Sequence, residues 1–446
     1  MSHKELDDQV AALQARVQAL SKKVMTDAVR KEIDALIAEL PSVEQQQGLD
    51  AKRKASLLVL HARAKLLLPA YSKDAETELS KALKLRPTDV EAWVAMSECL
   101  WKREALVEAR DALNSALGIE PQHIGALCQL SRILRACCNR PDVSNDDRAA
   151  MMAEAVAKAK AAVEVDMASG EAWAALGVAL IQQTVATGMD LAILSKAHQA
   201  LVQACRRNES DPDVHYNRGV VRKCLGEFGG AAEDFAKAFE LDPVGLPMAK
   251  RDKEVINALL QGFAGILASF ASETAPEKLQ TFKKTVLNKL PVLGDGGREF
   301  LPLRVLLKNP TASRPDAPPR WLAVRALELV SGPTEQPLCY LAADRDATFC
   351  ALLVYRTTAE AIKPGSTVMV ALPPGGVAEH VHNYVAEPKP DAAAGGAAAA
   401  SSSGAGVAKT LSLPCVLAEP TALFVNGAPV PKHMFKSPSL ATRQFV

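Results

Sequence analysis

Two pairs of residues stand three apart in this chain: Arg132 with Arg135, and Asp213 with Tyr216. On a helix, residues three apart share a face. An arginine fork can grip a carboxylate through two parallel hydrogen bonds, while an aspartate takes a cation. Two cations set against an anion and a phenol would suit an extended peptide that carries an acid next to a base. The plainer reading is three solvated charges and a phenol, each contributing little. What decides between them is the phase of the element that carries these residues.

Other candidates for chemistry are weaker. His380 and His382 alternate on a strand and share a face, which is half a metal site, but no third ligand is evident; they read as two strand histidines. Cys137 and Cys138 lie near Arg135 and Arg140, which would lower a thiol pKa, yet nothing places a histidine base beside them. Gly294-Asp295-Gly296-Gly297 lacks the spacing of a dinucleotide-binding loop, and no GxxxxGK[ST] occurs, so the glycines read as a linker. Trp321, Tyr340, Phe349 and Tyr355 would stack nucleic-acid bases if exposed, but basic residues are not interleaved with them as a phosphate track requires. With no nucleophile and base in a recognisable arrangement, the expectation is a non-enzymatic protein without catalytic residues, cofactor or metal.

The composition agrees with a binding protein built from helices. Its 446 residues are 48% hydrophobic but only 4% aromatic, so burial rests on Ala, Leu and Val. A formal net charge of +1 removes the global field expected of a dedicated nucleic-acid binder. Nine cysteines without a CxxC point to reduced thiols. The opening Met-Ser-His-Lys-Glu has no apolar signal core, and no run of eighteen apolar residues occurs. These features lead to the expectation of a soluble cytoplasmic or nucleocytoplasmic protein with no membrane partner.

A 34-residue period runs through the first half. It separates Pro87 from Pro121, Ala75 from Ala109, Leu79 from Leu113 and Ala82 from Ala116, which is the tetratricopeptide period. The expected fold is therefore mainly α: amphipathic helices over 1–50, treated as a solvated lead-in, five tetratricopeptide repeats over 51–243, and capping helices over 244–293. The fifth repeat carries Gly219, Gly226, Phe228, Ala231, Phe235, Ala238 and Pro243. The third and fourth exceed the period by twelve and eight residues, since Leu127 to Trp173 spans 46 and Gly177 to Gly219 spans 42. Inserted residues are expected in loops between helices, such as 139–147.

Beyond Gly294, short Val, Leu and aromatic runs separated by Pro and Gly predict five or six strands. An OB-fold-like small barrel over 294–446 is expected. The Ala, Gly and Ser tract at 392–406 is expected to be a disordered insertion, and Asn426-Gly427 a turn.

The repeat phase also places the four residues named at the outset. The first helix of each repeat lines the concave groove with positions 2, 5, 9 and 12. Counting from Ile124 puts Arg132 at 9 and Arg135 at 12; counting from Pro212 puts Asp213 at 2 and Tyr216 at 5. All four become candidate peptide-binding residues.

This arrangement resembles the tetratricopeptide repeat protein 5 family, also called Strap. The strings that carry the resemblance are Tyr71-Ser72-Lys73-Asp74-Ala75, Glu91-Ala92-Trp93, Gln129-Leu130-Ser131-Arg132-Ile133-Leu134-Arg135, Asp211-Pro212-Asp213-Val214-His215-Tyr216-Asn217-Arg218 and Val425-Asn426-Gly427. The resemblance implies a factor that reads the Met-Arg-Glu-type N-terminus of nascent tubulin at the ribosome and recruits mRNA decay. Its groove arginine would be Arg135 and its groove aspartate Asp213. There are two departures. The family's acid past the last repeat has no counterpart in Val244-Gly245-Leu246-Pro247-Met248, and its ribosome-binding basic pair aligns with Ala275-Pro276-Glu277, with Lys283 and Lys284 further on. The alternatives are a nuclear stress-response coactivator adaptor, which the family also implies, and a nucleic-acid binder acting through the barrel.

Overall fold

A computed structural model describes residues 3–21, 23, 25–40, 49–140, 142–270, 275–291, 298, 300–308, 320–332, 335–372, 377–386 and 407–436. The tract at 392–406 and the glycines at 294–297 lie outside them, as do the side chains of His380 and His382. Contacts divide the chain into two compact units. One holds Met1–Gln183 and Gln199–Asp211, the other Thr184–His198 and Pro212–Phe445.

The first unit begins with α1 (His3–Leu20) and α2 (Asp27–Glu39). Helical hairpins follow: α3 (Ala51–Leu66) with α4 (Lys73–Leu85), α5 (Val90–Lys102) with α6 (Leu106–Ile119), and α7 (Ile124–Cys138) with α8 (Asn145–Val165). Next come α9 (Gly170–Ala186) and α10 (Leu191–Arg207), which run across the boundary between the units. No strand occurs among the described residues between 51 and 243.

Helix starts are set by side chains that accept from the backbone three residues on. Ser72 accepts from Ala75 at 3.2 Å, Asp89 from Ala92 at 3.2 Å, and His123 Nδ1 from Ala126 at 3.0 Å. The periodic alanines Ala75, Ala82, Ala109, Ala116, Ala155 and Ala162 are fully buried, because two helices can approach closely only over small side chains. Trp93 and Trp173 donate to the carbonyls of Pro87 and Met167, six residues back in each case, and so tie the preceding turn to the new repeat.

Two expectations are corrected here. The lead-in is not solvated: Ile33 and Leu36 of α2 are fully buried in one cluster with Leu60 and Ala64 of α3. The amphipathic stripe of a short helix pair gains stability by covering the apolar face of the first repeat. Nor do the insertions form mainly loops. α8 has 21 residues against 14 in α6, and α9 has 17 against 13 in α5, because the added residues are good helix formers that extend existing helices.

The second unit holds α11 (Pro212–Cys224), α12 (Phe228–Leu241), α13 (Pro247–Phe270), α14 (Ala275–Thr285), the 3-10 turn Leu287–Lys289 and the short α15 (Leu303–Lys308). A sheet follows: β1 (Arg320–Leu329), β2 (Leu338–Asp344), β3 (Phe349–Val354), β4 (Thr367–Leu372), β5 (Val377–Ala386), β6 (Val407–Ala418), β7 (Leu423–Val425) and β8 (Ala428–Pro429). The ladder runs β5-β6-β3-β2-β1-β4-β7-β8, with β3 and β6 parallel and the other pairs antiparallel. Among the described residues there are eight strands, where five or six were expected. The ladder of described strands has two ends, β5 and β8, and forms a small β domain. Asn426 and Gly427 both take positive φ, 52° and 89°, in the tight β7–β8 turn.

Packing in the last repeat repeats the logic of the first unit. A Cβ on Gly219 would lie 2.8 Å from the ring of Phe235, so only glycine lets α11 and α12 close over that aromatic. Beyond it, Phe228 of α12 meets Phe263 of α13 at 6.4 Å.

Candidate peptide-binding residues

The two candidate pairs belong to different units, and each is described within its own.

In the first unit, α7 carries Arg132 and Arg135 one turn apart, and their environments differ. Arg132 lies over the indole of Trp101, 5.1 Å from its centroid, a cation–π contact between neighbouring repeats. Burial lowers its pKa while the charges of Glu98 and Glu171 oppose the shift. Arg132 is thus set among structural partners.

Arg135 is not. It is only 1% exposed, and its Nε and Nη1 have no hydrogen-bond partner among the described residues. Burial, reinforced by the like charge of Arg132, lowers its pKa to about 10, so it stays charged at neutral pH. A buried cation beside another cation is costly unless an anion arrives. Within the first unit, Arg135 is thus a buried guanidinium with two nitrogen atoms that no described residue pairs.

In the second unit, Asp213 sits half-buried in the first turn of α11, where the helix N-terminus favours its negative charge. Tyr216 is buried and already engaged: its hydroxyl donates to Asp252 Oδ2 of α13 at 2.9 Å, and its ring meets Phe235 at 5.5 Å. Burial, and then the charge of Asp252, push its phenol pKa up. Tyr216 therefore holds a second carboxylate near the start of α11 instead of offering a free hydroxyl.

Below this pair, Asp234 of α12 accepts from Arg218 Nε at 2.9 Å and from Arg222 Nη1 at 3.0 Å, with His215 Nδ1 at 3.6 Å. Burial alone would raise the Asp234 pKa, but the nearby His215, the hydrogen bond from Arg218 and the charges of Arg218 and Arg222 hold it below the usual carboxylate range. This network braces α11 from the side and fixes the helix that presents Asp213.

Sequence reasoning missed Glu98, Trp101 and Asp252. The first two were within reach, since counting the second repeat from Val90 puts Glu98 at position 9 and Trp101 at position 12. Asp252 lies past the last repeat, where the phase gives no guidance.

The remaining candidates are settled by burial. Cys137 and Cys138 are buried and burial raises both thiol pKa values, the opposite of an activated pair. Tyr340 and Tyr355 are core residues, their hydroxyls donating to the carbonyls of Ile362 and Cys224, so neither forms a base-stacking platform. Trp321 carries the guanidinium of Arg298 over its ring at 4.6 Å. His380 and His382 lie on β5, opposite Leu413 and Leu411. Among the described residues no three metal-ligating side chains come together, and no helix is long and apolar enough to cross a membrane.

A family model for the tetratricopeptide repeat matches residues 72–124. The chain is 33% identical over 260 residues to mouse tetratricopeptide repeat protein 5, covering 57% of this chain and 58% of the relative. It is 31% identical over 279 residues to the cattle protein of the same name, covering 60% and 61%. The matched regions thus span about three-fifths of those curated relatives. Among solved structures, a thermophilic tetratricopeptide-repeat protein of Thermus thermophilus aligns with 46% of this chain and 96% of its own, at 20% identity and a TM-score of 0.36.

Proposed function

We propose that this tetratricopeptide-repeat chain, similar to tetratricopeptide repeat protein 5, is a non-enzymatic adaptor that binds a short peptide bearing a basic and an acidic residue. The peptide is the Met-Arg-Glu-type N-terminus of nascent tubulin emerging from the ribosome, and the adaptor acts in the cytoplasm, in tubulin mRNA autoregulation. The observation that carries the reading is the uncompensated charge of Arg135, a buried guanidinium whose Nε and Nη1 lack hydrogen-bond partners among the described residues. A ligand carboxylate would supply what the fold withholds, and charge-assisted fork contacts of that kind are strong. Asp213, at the mouth of α11, supplies the opposite charge for the peptide's arginine. The partial match to tetratricopeptide repeat protein 5 supports the choice of ligand.

The test is a titration of the purified chain with a peptide beginning Met-Arg-Glu. Replacing its glutamate by glutamine should weaken binding by roughly tenfold, about 1.4 kcal/mol. Asp213→Arg should lose the parent peptide and recover part of the affinity for one with glutamate at its second position. A parent chain that binds none of these peptides would remove the tubulin reading.

A further inference from the structure

In the second unit, the end of α13, α14 and β1 line an open cleft of about 620 Å³, within the size range of small-molecule sites. Its apolar wall comes from Ile266, Phe270, Phe282 and Val286, with the two phenylalanine rings 5.8 Å apart. Its polar end carries two cations. Arg325 of β1 donates to the neutral carbonyls of Gly365 at 2.6 Å and Val286 at 3.4 Å, while its Nε is buried without a hydrogen-bond partner among the described residues. Lys289, exposed in the 3-10 turn after α14, stands at the rim.

The backbone of β1 is shaped at this point. Its register against β2 shifts between Ala326 and Glu328, a β-bulge. Strict alternation would send Leu327 and Glu328 to opposite faces, yet both line the cleft. Bulges of this kind re-aim side chains beside binding sites. Glu328 and Lys289 are both exposed, where water screens them, so the half-buried Arg325 is the charge that dominates the polar end.

We infer that this cleft binds a carboxylate with a short apolar tail, the carboxylate meeting Arg325 and Lys289 and the tail lying against Phe270 and Phe282. Such chemistry is found in a medium-chain fatty acid and in the C-terminal residue of a peptide ending in leucine. The site shares no residue with the candidate peptide-binding set and stands independently of it.

The test titrates octanoate, octanol, and a leucine-terminated tetrapeptide with free or amidated C-terminus into the full chain by calorimetry. Saturable binding of octanoate or of the free-acid peptide is expected, and whichever binds more tightly identifies the source. Octanol and the amidated peptide should bind at least about tenfold more weakly, as should any carboxylate to Arg325→Met. Thr285→Phe, at an exposed position of α14 that lines the cleft, should fill it and abolish binding without lowering the melting temperature. The inference is overturned if no carboxylate saturates the chain at millimolar concentration, if octanol matches octanoate, or if Thr285→Phe binds like the parent.

Discussion

Gly226 and Cys415 stand too close for any side chain between them: a Cβ on Gly226 would lie 2.8 Å from Cys415 Cβ. Gly226 has φ of 82° in the turn between α11 and α12, and its carbonyl lies 3.6 Å from Cys415 Sγ on β6. Two residues back, the buried Tyr355 hydroxyl donates to the Cys224 carbonyl. The last repeat and the sheet of the second unit are therefore packed as one body.

Gly226→Ala should cost about 2 kcal/mol or more, from the strained φ and the steric conflict together. Gly118→Ala is the contrasting case, since Gly118 is exposed on α6 and a methyl group there would meet no atom within 4 Å. That change should leave stability unaltered or raise it by up to about 1 kcal/mol. Calorimetric melting of both variants checks the pair, and equal melting temperatures would show that the Gly226 contact is not tight.

The two arginines of α7 should separate stability from binding. Arg135→Met removes a buried, uncompensated charge and should raise stability by about 1 to 2 kcal/mol while weakening the peptide. Arg132→Met loses the contact with Trp101 and should lower stability by about 1 kcal/mol. Urea midpoints measured beside peptide affinity would show it; a destabilised Arg135→Met would mean that its guanidinium is satisfied in the native chain.

Stability should fall in two steps on acidification. Burial holds the His198 pKa below its ordinary 6.5 despite Glu227 and Asp234, with Arg222 and Arg218 adding to the shift. The unfolded chain therefore takes up this proton first, and stability declines as pH falls below about 6.5. Asp234 lies below its ordinary 3.8, so its contribution is present above that value and is lost as pH falls through the folded pKa. His198→Gln should remove the upper step and leave the lower one. Urea midpoints from pH 7 to pH 3 read both.

The docking of the lead-in is testable at Ile33, fully buried in the cluster with Leu60. Ile33→Asp should destabilise the first unit by about 3 kcal/mol or more, because it buries an unpaired charge. A near-normal melting temperature would return α1 and α2 to the solvated role expected of them.

The parts of this fold legible in sequence are those that repeat. Alanines recur at 34-residue spacing because each helix crossing needs a small residue, so Ala75 and Ala109 announce both the period and the packing. Arg135 was legible for the same reason. Its isolation was not, because an ion pair's absence depends on neighbours from other helices. The stripe of α1 and α2 predicted helices but did not name the surface they cover. Asp252 escaped because Tyr216 reaches it across 36 residues, outside any repeat. In the sheet, β2 is buried at every position, so alternation could not tell Tyr340 as core from Tyr340 as a stacking surface.

The most direct measurement is a double-mutant cycle between Arg135 and the peptide's glutamate, using the parent chain, Arg135→Ala, a Met-Arg-Glu peptide and its Met-Arg-Gln counterpart. Either change alone should weaken binding by roughly tenfold, about 1.4 kcal/mol, and the two together should weaken it little further, since both remove one contact. Losses that simply add would contradict the pairing, as would a parent chain that fails to bind the peptide; in that event the coactivator-adaptor reading takes precedence.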